Sequence, residues 1–438
     1  MVMETTEQQY AFDMIARTRT SFFLTGKAGT GKTTFLKKVQ AEIEKNFAVV
    51  APTGVAALNA GGQTIHSFFG IGLGVQTPDE TGSVSKAKQD VMMNVDSIIV
   101  DEVSMVRCDI IDTMDRTLRH VRKNTLPFGG VQMIFVGDLF QLPPVVKNID
   151  KEILEQYYSV GPFYFYMADV LRNYNLPKIE FTKIYRQTDA DFIALLDRVR
   201  LGTLSYRDLQ AINSRVQSGY GQEDDNLRII LTCYTKDANY INEQRLAGLP
   251  GKETLYQAEY EGEYGRVMDA AEKILKLKPD AQVMFTRNDK DGRWVNGTIG
   301  KVADLSEYCI RVSLEDGTEH EVFKEKWEAI DYVYNKEEKK LEKKVIGSVT
   351  QYPLKLAWAV TIHKSQSLTF DKVTIDFGRG AFTEGQAYVA LSRVRSFAGL
   401  RLVAPLTFRS IKVSKDVLEF AQNYNDVEQI QEELIFGI

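Results

Sequence analysis

The stretch Phe22-Phe23-Leu24-Thr25-Gly26-Lys27-Ala28-Gly29-Thr30-Gly31-Lys32-Thr33-Thr34 decides the fold, because an apolar run enters a glycine-rich turn that opens a helix. Gly26, Gly31, Lys32 and Thr33 fit the spacing G-x-x-x-x-G-K-T, and a short apolar strand before it and a helix after it supply the expected context. Such a loop bends around a phosphate so that backbone amides over Gly26, Ala28, Gly29, Thr30, Gly31 and Thr34 face the negative charge. Lys32 is expected to reach the β/γ oxygens and Thr33 to ligate Mg²⁺. The bland alternative is a fortuitous glycine turn, and strand, loop and helix together argue against it.

The chain has 438 residues, for which about three domains is the length-based expectation. Hydrophobic content of 44% and charged content of 26% are globular values, and no apolar run approaches the length that spans a bilayer. The first residues lack a basic segment followed by an apolar one, so no secretory signal is expected, and the location expected is cytoplasmic, in association with the nucleoid. Cys108, Cys233 and Cys309 are odd in number and far apart, which suits a reducing cytosol and argues against a disulfide framework or a paired-cysteine zinc site. The histidines, His66, His120, His320 and His363, show no metal-ligand spacing. A net charge of −5 argues against coating duplex DNA through a broad basic face. A motor that holds one strand in an internal channel needs far less positive charge, because amides, hydroxyls and a few aromatics suffice.

Ahead of the loop, Thr5 or Thr6 caps a helix in which Gln8 is a candidate adenine reader, since an amide can pair both adenine edges; a surface glutamine is the alternative. Phe47-Ala48-Val49-Val50-Ala51 and Pro52-Thr53-Gly54-Val55 form a second strand-loop-helix unit, which implies a parallel sheet. Thr53, Gly54, Thr64 and His66 are candidates to contact nucleic-acid phosphate, and Phe68 or Phe69 to stack on a base, with aromatics packed under a loop as the open alternative. Residues 70–90 are rich in Gly, Thr, Ser and Asp and are expected to leave the sheet as a projecting hairpin or a mobile loop. Val95-Asp96-Ser97-Ile98-Ile99-Val100-Asp101-Glu102 reads as a buried strand delivering acids at its C-terminal edge. Asp101 is expected on the Mg²⁺ and Glu102 on the attacking water, with the phosphate loop on the neighbouring strand. A helix over 107–123 and a turn at Pro127-Phe128-Gly129-Gly130 lead to a third strand, after which Gln141 is placed to sense a γ-phosphate.

The strings GKAGTGKT, APTGVAALNAGGQTIHSFF, IIVDEVSMV, PFGGVQMIFVGDLFQLPPV, LAWAVTIHKSQSLTF and GQAYVALSRVRS, in this order, resemble the petite integration frequency (Pif) family of superfamily-one DNA helicases, of bacterial type, over nearly the whole chain. The resemblance implies an α/β fold with two RecA-like parallel-sheet domains, ATP and Mg²⁺ between them, and single-stranded DNA across their top. It implies 5′→3′ translocation, and it makes forks, RNA–DNA hybrids or G-quadruplex structures plausible substrates in genome maintenance. It matches Gln8 to adenine recognition, Lys32 and Thr33 to the phosphate loop, Asp101 and Glu102 to the metal and base acids, and Gln141 to the γ-phosphate sensor. Arg186, with Tyr185 beside it at the nucleotide, and Arg393 match two arginine fingers. His363, Lys364 and Ser365 match a DNA-contacting motif, for which a capped helix start is the alternative. Ser367 departs from the family, which usually carries glycine there.

The second half supports a two-domain reading on its own residues, with further buried strands at Leu227-Arg228-Ile229-Ile230-Leu231-Thr232-Cys233 and Lys372-Val373-Thr374-Ile375-Asp376-Phe377. Short alternating runs over 249–346 are expected to form an inserted antiparallel barrel, SH3-like by the resemblance, with the charged turn at 335–340 in solvent. The expected boundaries are 1–178 for the first core domain, including a small excursion at 66–92 that serves as a wedge, 179–248 with 347–438 for the second, and 249–346 for the insertion. A monomer in solution, able to dimerise on DNA, is expected. The rivals are a RecD-type helicase working in an exonuclease complex, a nucleotide-gated clamp that does not unwind, and an ATPase indifferent to DNA.

Overall fold

The computed structural model describes residues 5–159, 161–185, 189–217, 227–378 and 380–437. The first sheet contains β1 (Phe22–Gly26), β2 (Phe47–Ala51), β3 (Gln63–Thr64), β4 (Ser97–Val100), β5 (Gln132–Val136) and β6 (Lys178–Phe181), in the order β3-β2-β4-β5-β1-β6. Every pairing in it is parallel. Helices cover both faces, so central strands are buried on both sides and read as unbroken apolar runs instead of alternating ones. The loops after β1, β4 and β5 therefore open on one edge, where an open parallel sheet presents its ligand crevice. β5 lies between β4 and β1, so Asp101 is not on the strand next to the phosphate loop as expected.

A second parallel sheet is built from Ala359–Thr361, Ile229–Thr232, Val373–Asp376 and Leu400–Leu402, in that order. The inserted region is antiparallel, as its alternation requires. Glu319–Val322, Ile310–Ser313, Ile299–Leu305, Gln282–Phe285 and Leu354–Leu356 form one sheet over a core that includes Trp294 stacked on Phe285 at 4.4 Å. A long hairpin, Glu325–Asn335 with Lys340–Gln351, is joined at its edge by Glu259–Gly262.

Several expected boundaries move. Lys178–Phe181 pairs with β1 and completes the first sheet, so that domain runs past 178. Leu354–Leu356 belongs to the inserted sheet, so the insertion runs past 346. The C-terminal helix Val427–Phe436 returns to the first domain. Its Ile430 is fully buried in the core of that domain, and Asn425 brackets the backbone of Glu180 as a further strand would. The excursion contains no hairpin. It runs as a loop into the helix Lys86–Asn94 and is laid onto the helix Cys108–Arg122 by bonds from the amides of Gln76 and Gly82 to Asp109 and Thr117, and from Arg116 to the Glu80 carbonyl. Nor does the charged turn stand free. The Asn46 side chain pairs with the Lys339 carbonyl and the Leu341 amide, Lys336 meets Asp90 at 3.6 Å, and the Tyr332 hydroxyl accepts the Val49 amide at 3.0 Å.

The two core domains meet around Arg200, on the helix Ala190–Leu201 of the second domain. It is 4% exposed, pairs with Asp138 at 3.3 Å and Glu180 at 3.2 Å, and lies over the Phe140 ring at 4.1 Å. Arg200→Ala leaves two carboxylates facing each other in the interior and is expected to lower unfolding stability by roughly 3–5 kcal/mol, read from the denaturant midpoint.

Candidate active site and nucleic-acid interface

The phosphate loop is held in backbone conformations that favour glycine. Gly26 has φ 152°, and a Cβ there would lie 2.6 Å from Thr30 Oγ1 and 2.7 Å from the Phe181 carbonyl oxygen. Gly29 and Gly31 have φ of 84° and 79°. The helix Lys32–Glu42 begins on Gly31 without a side-chain cap, which leaves its first amides for an anion. Thr30 braces the loop from inside through the Lys27 carbonyl, while Thr33 and Thr34 are exposed on the first helical turn. Lys32 Nζ donates to the carbonyls of Gly26 at 2.6 Å and Lys27 at 3.3 Å. Burial pulls its pKa below the usual lysine value, against the opposing charges of Asp138, Glu102 and Asp101. The second domain also grips this loop. The Ala28 amide donates to the Tyr388 hydroxyl at 3.3 Å, and Lys27 pairs with Asp197 at 2.8 Å.

Asp101 and Glu102 follow β4, with Glu102 in the left-handed region at φ 51° and its amide donating to Asp101 Oδ1 at 2.9 Å. Burial, then the neighbouring Glu102 charge, push the Asp101 carboxyl up to about 7. A buried acid with too little positive charge around it fits a divalent cation. Among the described residues no group of three or more His, Cys, Asp or Glu side chains is placed to hold a metal. Thr33 and Asp101 are the residues here that could hold such an ion. Gln141 is 9% exposed, and its Nε2 reaches Asp138 Oδ2 at 3.4 Å, so the Arg200 partner also orients the candidate sensor. Gly385, at φ 68°, touches the same loop, since a Cβ there would lie 2.2 Å from the Gln141 carbonyl oxygen. Gln8 is half-buried, beside Glu7, which accepts the Thr182 hydroxyl at 2.8 Å. The Tyr185 amide donates to the Gly29 carbonyl at 2.9 Å, and its ring lies against Gly31.

Of the two expected arginine fingers, Arg186 lies outside the described residues. Arg393 is held inside the protein. It is 1% exposed, and its guanidinium donates to the carbonyls of Val389, Ser365 and Leu368 and to Ser392 Oγ. A buried guanidinium needs these acceptors, so Arg393 braces the turn at 363–365 against the helix Gln386–Leu391.

The nucleic-acid candidates divide in the same way. Thr53 and Thr64 cap the helices Gly54–Ala60 and Ile65–Phe69 through the amides of Ala56 and Ser67, and the Arg266 carbonyl lies beside Gly54. Burial lowers the pKa of His66 and of His363, so both rings are neutral at neutral pH and offer hydrogen bonds or a flat face in place of charge. Phe68 is 2% exposed and packs edge-on against Phe69 and Tyr332, so the packed alternative is the one observed for both phenylalanines. Ser365 is fully buried, with its hydroxyl on the Ile362 carbonyl, and offers nothing to a phosphate. Lys364 is exposed beside His363. The sequence reading missed Tyr234 and Phe382, 48% and 45% exposed, stacked at 5.3 Å with His363 next in the row at 6.4 Å. An aromatic just beyond the buried strand Ile229–Thr232 was the available signal for Tyr234. Phe68→Leu is expected to leave affinity for a single-stranded oligonucleotide unchanged while lowering stability by about 1 kcal/mol, measured by fluorescence anisotropy and by denaturant unfolding.

Comparison with known proteins identifies the family. The PIF1-like helicase family matches residues 3–210. The ATP-dependent DNA helicase Pif1 of Bdellovibrio bacteriovorus is 34% identical over 95% of this chain and 91% of its own length. The human ATP-dependent DNA helicase PIF1 is also 34% identical, and the chain spans 58% of its length. The crystal structure of Bacteroides sp Pif1 in complex with ADP-AlF4 superposes with a TM-score of 0.90 at 37% identity, covering 98% of both chains. Bacteroides Pif1 bound to ssDNA, with the same identity and coverage, superposes at 0.70, so the domain arrangement here is nearer to the former. The chain belongs to the PIF1-like helicase family.

Proposed function

We propose that the chain is an ATP-dependent DNA helicase that moves 5′→3′ on single-stranded DNA and parts the duplex ahead of it. The observation that carries this reading is the meeting of Lys32, Asp101, Glu102 and Gln141 at one sheet edge that the second domain covers with Tyr388, Arg200 and Gly385. ATP bound there touches both domains, so its hydrolysis changes how well they pack. Lys32 and the loop amides neutralise the phosphate oxygens, Gln141 hydrogen-bonds the terminal phosphate, and Glu102 takes the proton of the attacking water. Thr33 and Asp101 would hold Mg²⁺, which would supply further charge neutralisation.

The strand crosses Thr53, Gly54, Thr64 and His66 on the first domain and His363 and Lys364 on the second, with Tyr234 and Phe382 as the surface on which bases stack. In this reading the loop at 70–84, whose Leu73 is 95% exposed, acts as the wedge. The inserted β-domain is SH3-like in this reading. Forks, RNA–DNA hybrids and G-quadruplexes are the structured substrates to test, and a second copy joins the monomer only on DNA. The protein works at the nucleoid. No described helix is long and apolar enough to cross a membrane.

Strand separation on matched duplexes with a 5′ or a 3′ single-stranded tail tests the reading, with Lys32→Ala as the inactive control. Opening of the 5′-tailed duplex alone is expected; opening of the 3′-tailed one alone overturns the polarity. ATPase stimulated by DNA without opening of either duplex points to a translocase or clamp. Glu102→Gln is expected to bind ATP while turnover falls by about 10²–10⁴-fold, measured by nucleotide binding and phosphate release. Tyr234→Ala and Phe382→Ala are each expected to weaken oligonucleotide binding by roughly 1–3 kcal/mol, read by anisotropy.

A further inference from the structure

Ser367 and Glu102 face each other across the domain cleft, and the Ser367 hydroxyl donates to Glu102 Oε1 at 3.0 Å. Both residues adopt left-handed backbone, Ser367 at φ 65° and Glu102 at φ 51°. A side chain in that region costs conformational energy, and it persists where the surroundings hold it and where the position has a use. For Ser367 the surroundings are visible. Arg393 clamps the carbonyls of Ser365 and Leu368 on either side of it, and the Gln366 and Leu368 amides return to His363 and Ser365. Ser367 is thus rigidly joined to the turn His363–Ser365, which bears the exposed Lys364 and adjoins the Tyr234–Phe382 stack. Its own side chain is exposed, so the hydrogen bond to Glu102 breaks without exposing a buried group.

We propose that Ser367 is a positioning residue that holds Glu102 out of action in this domain arrangement and releases it when a nucleic-acid strand moves the 363–365 turn. The inference rests on the reading of Glu102 as the base. A hydroxyl that donates to a carboxylate oxygen fixes the direction of that side chain and occupies one of the lone pairs open to an attacking water. Strand binding on one side of the turn and base release on the other are then one displacement, which makes turnover without DNA slow.

Steady-state ATPase of the full chain, with and without a single-stranded oligonucleotide, tests this with three substitutions. Ser367→Gly relaxes the backbone and removes the hydroxyl, Ser367→Ala keeps the strain and removes the hydroxyl, and Ser367→Asn tolerates the left-handed backbone and keeps a donor. The expected result is a DNA-free kcat about tenfold higher in both the Gly and Ala variants, the change a hydrogen bond to a charged group supplies, with KM for ATP and the DNA-saturated kcat unchanged. Ser367→Asn is expected to stay close to the parent. A rise in the Gly variant alone would assign the effect to the backbone and overturn the proposal, as would no rise in either, or a fall in the DNA-saturated rate. Thermal melting of each variant verifies folding, and the Gly–Asn pair decides the question if Ser367→Ala is unstable. Glu102→Gln, run in parallel, separates the two readings. Full turnover in that variant removes the base itself, whereas a dead Glu102→Gln with unaltered Ser367 variants removes only the restraint.

Discussion

The buried charge of Arg200 is the constraint on which the joint between the two core domains depends. A guanidinium taken out of water requires carboxylates close by, and both of its partners, Asp138 and Glu180, belong to the first domain while its helix belongs to the second. The domains cannot part at this point without leaving one charge or the other unpaired. Asp138 also holds Gln141, so the same ion pair that joins the domains orients the side chain expected to read the terminal phosphate. Structural cohesion and the orientation of Gln141 share one carboxylate.

The phosphate loop is likewise a shared element. Its glycines give it a shape that binds an anion, and the second domain contributes the Tyr388 hydroxyl on the Ala28 amide and Asp197 on Lys27. A ligand that competes for those donors alters the interface as it enters. Gly385 explains how the approach can be so close, since its missing side chain admits the backbone of the Gln141 loop.

The first core domain was legible because central parallel strands are buried on both faces and their sequences advertise it: FFL, FAVVA, SIIV and QMIFV each became a strand. The helix read over 107–123 was found at Cys108–Arg122 for a similar reason, with one apolar face and Arg107 at its cap. Legibility failed where a residue's role depends on distant partners. Phe68 carries a side chain suited to stacking, yet Phe69 and Tyr332 bury it. Tyr234 and Phe382 become one surface only after the chain has folded back. The order of β4, β5 and β1 is also a matter of topology, which the strand sequences do not encode individually.

The long hairpin of the inserted domain gives the molecule a mechanical property that neither sheet has. Its strands are covalently continuous with the second core domain, while Tyr332, the 339–341 turn and Lys336 are fastened to the first. With the Arg200 joint, the three bodies form a closed linkage, like a triangular frame. In such a frame no single corner can turn alone: a rotation at the nucleotide cleft has to be matched by slip at the hairpin or by bending of the strands that carry it. The hairpin thus ties any rotation of one core domain against the other to its own contacts.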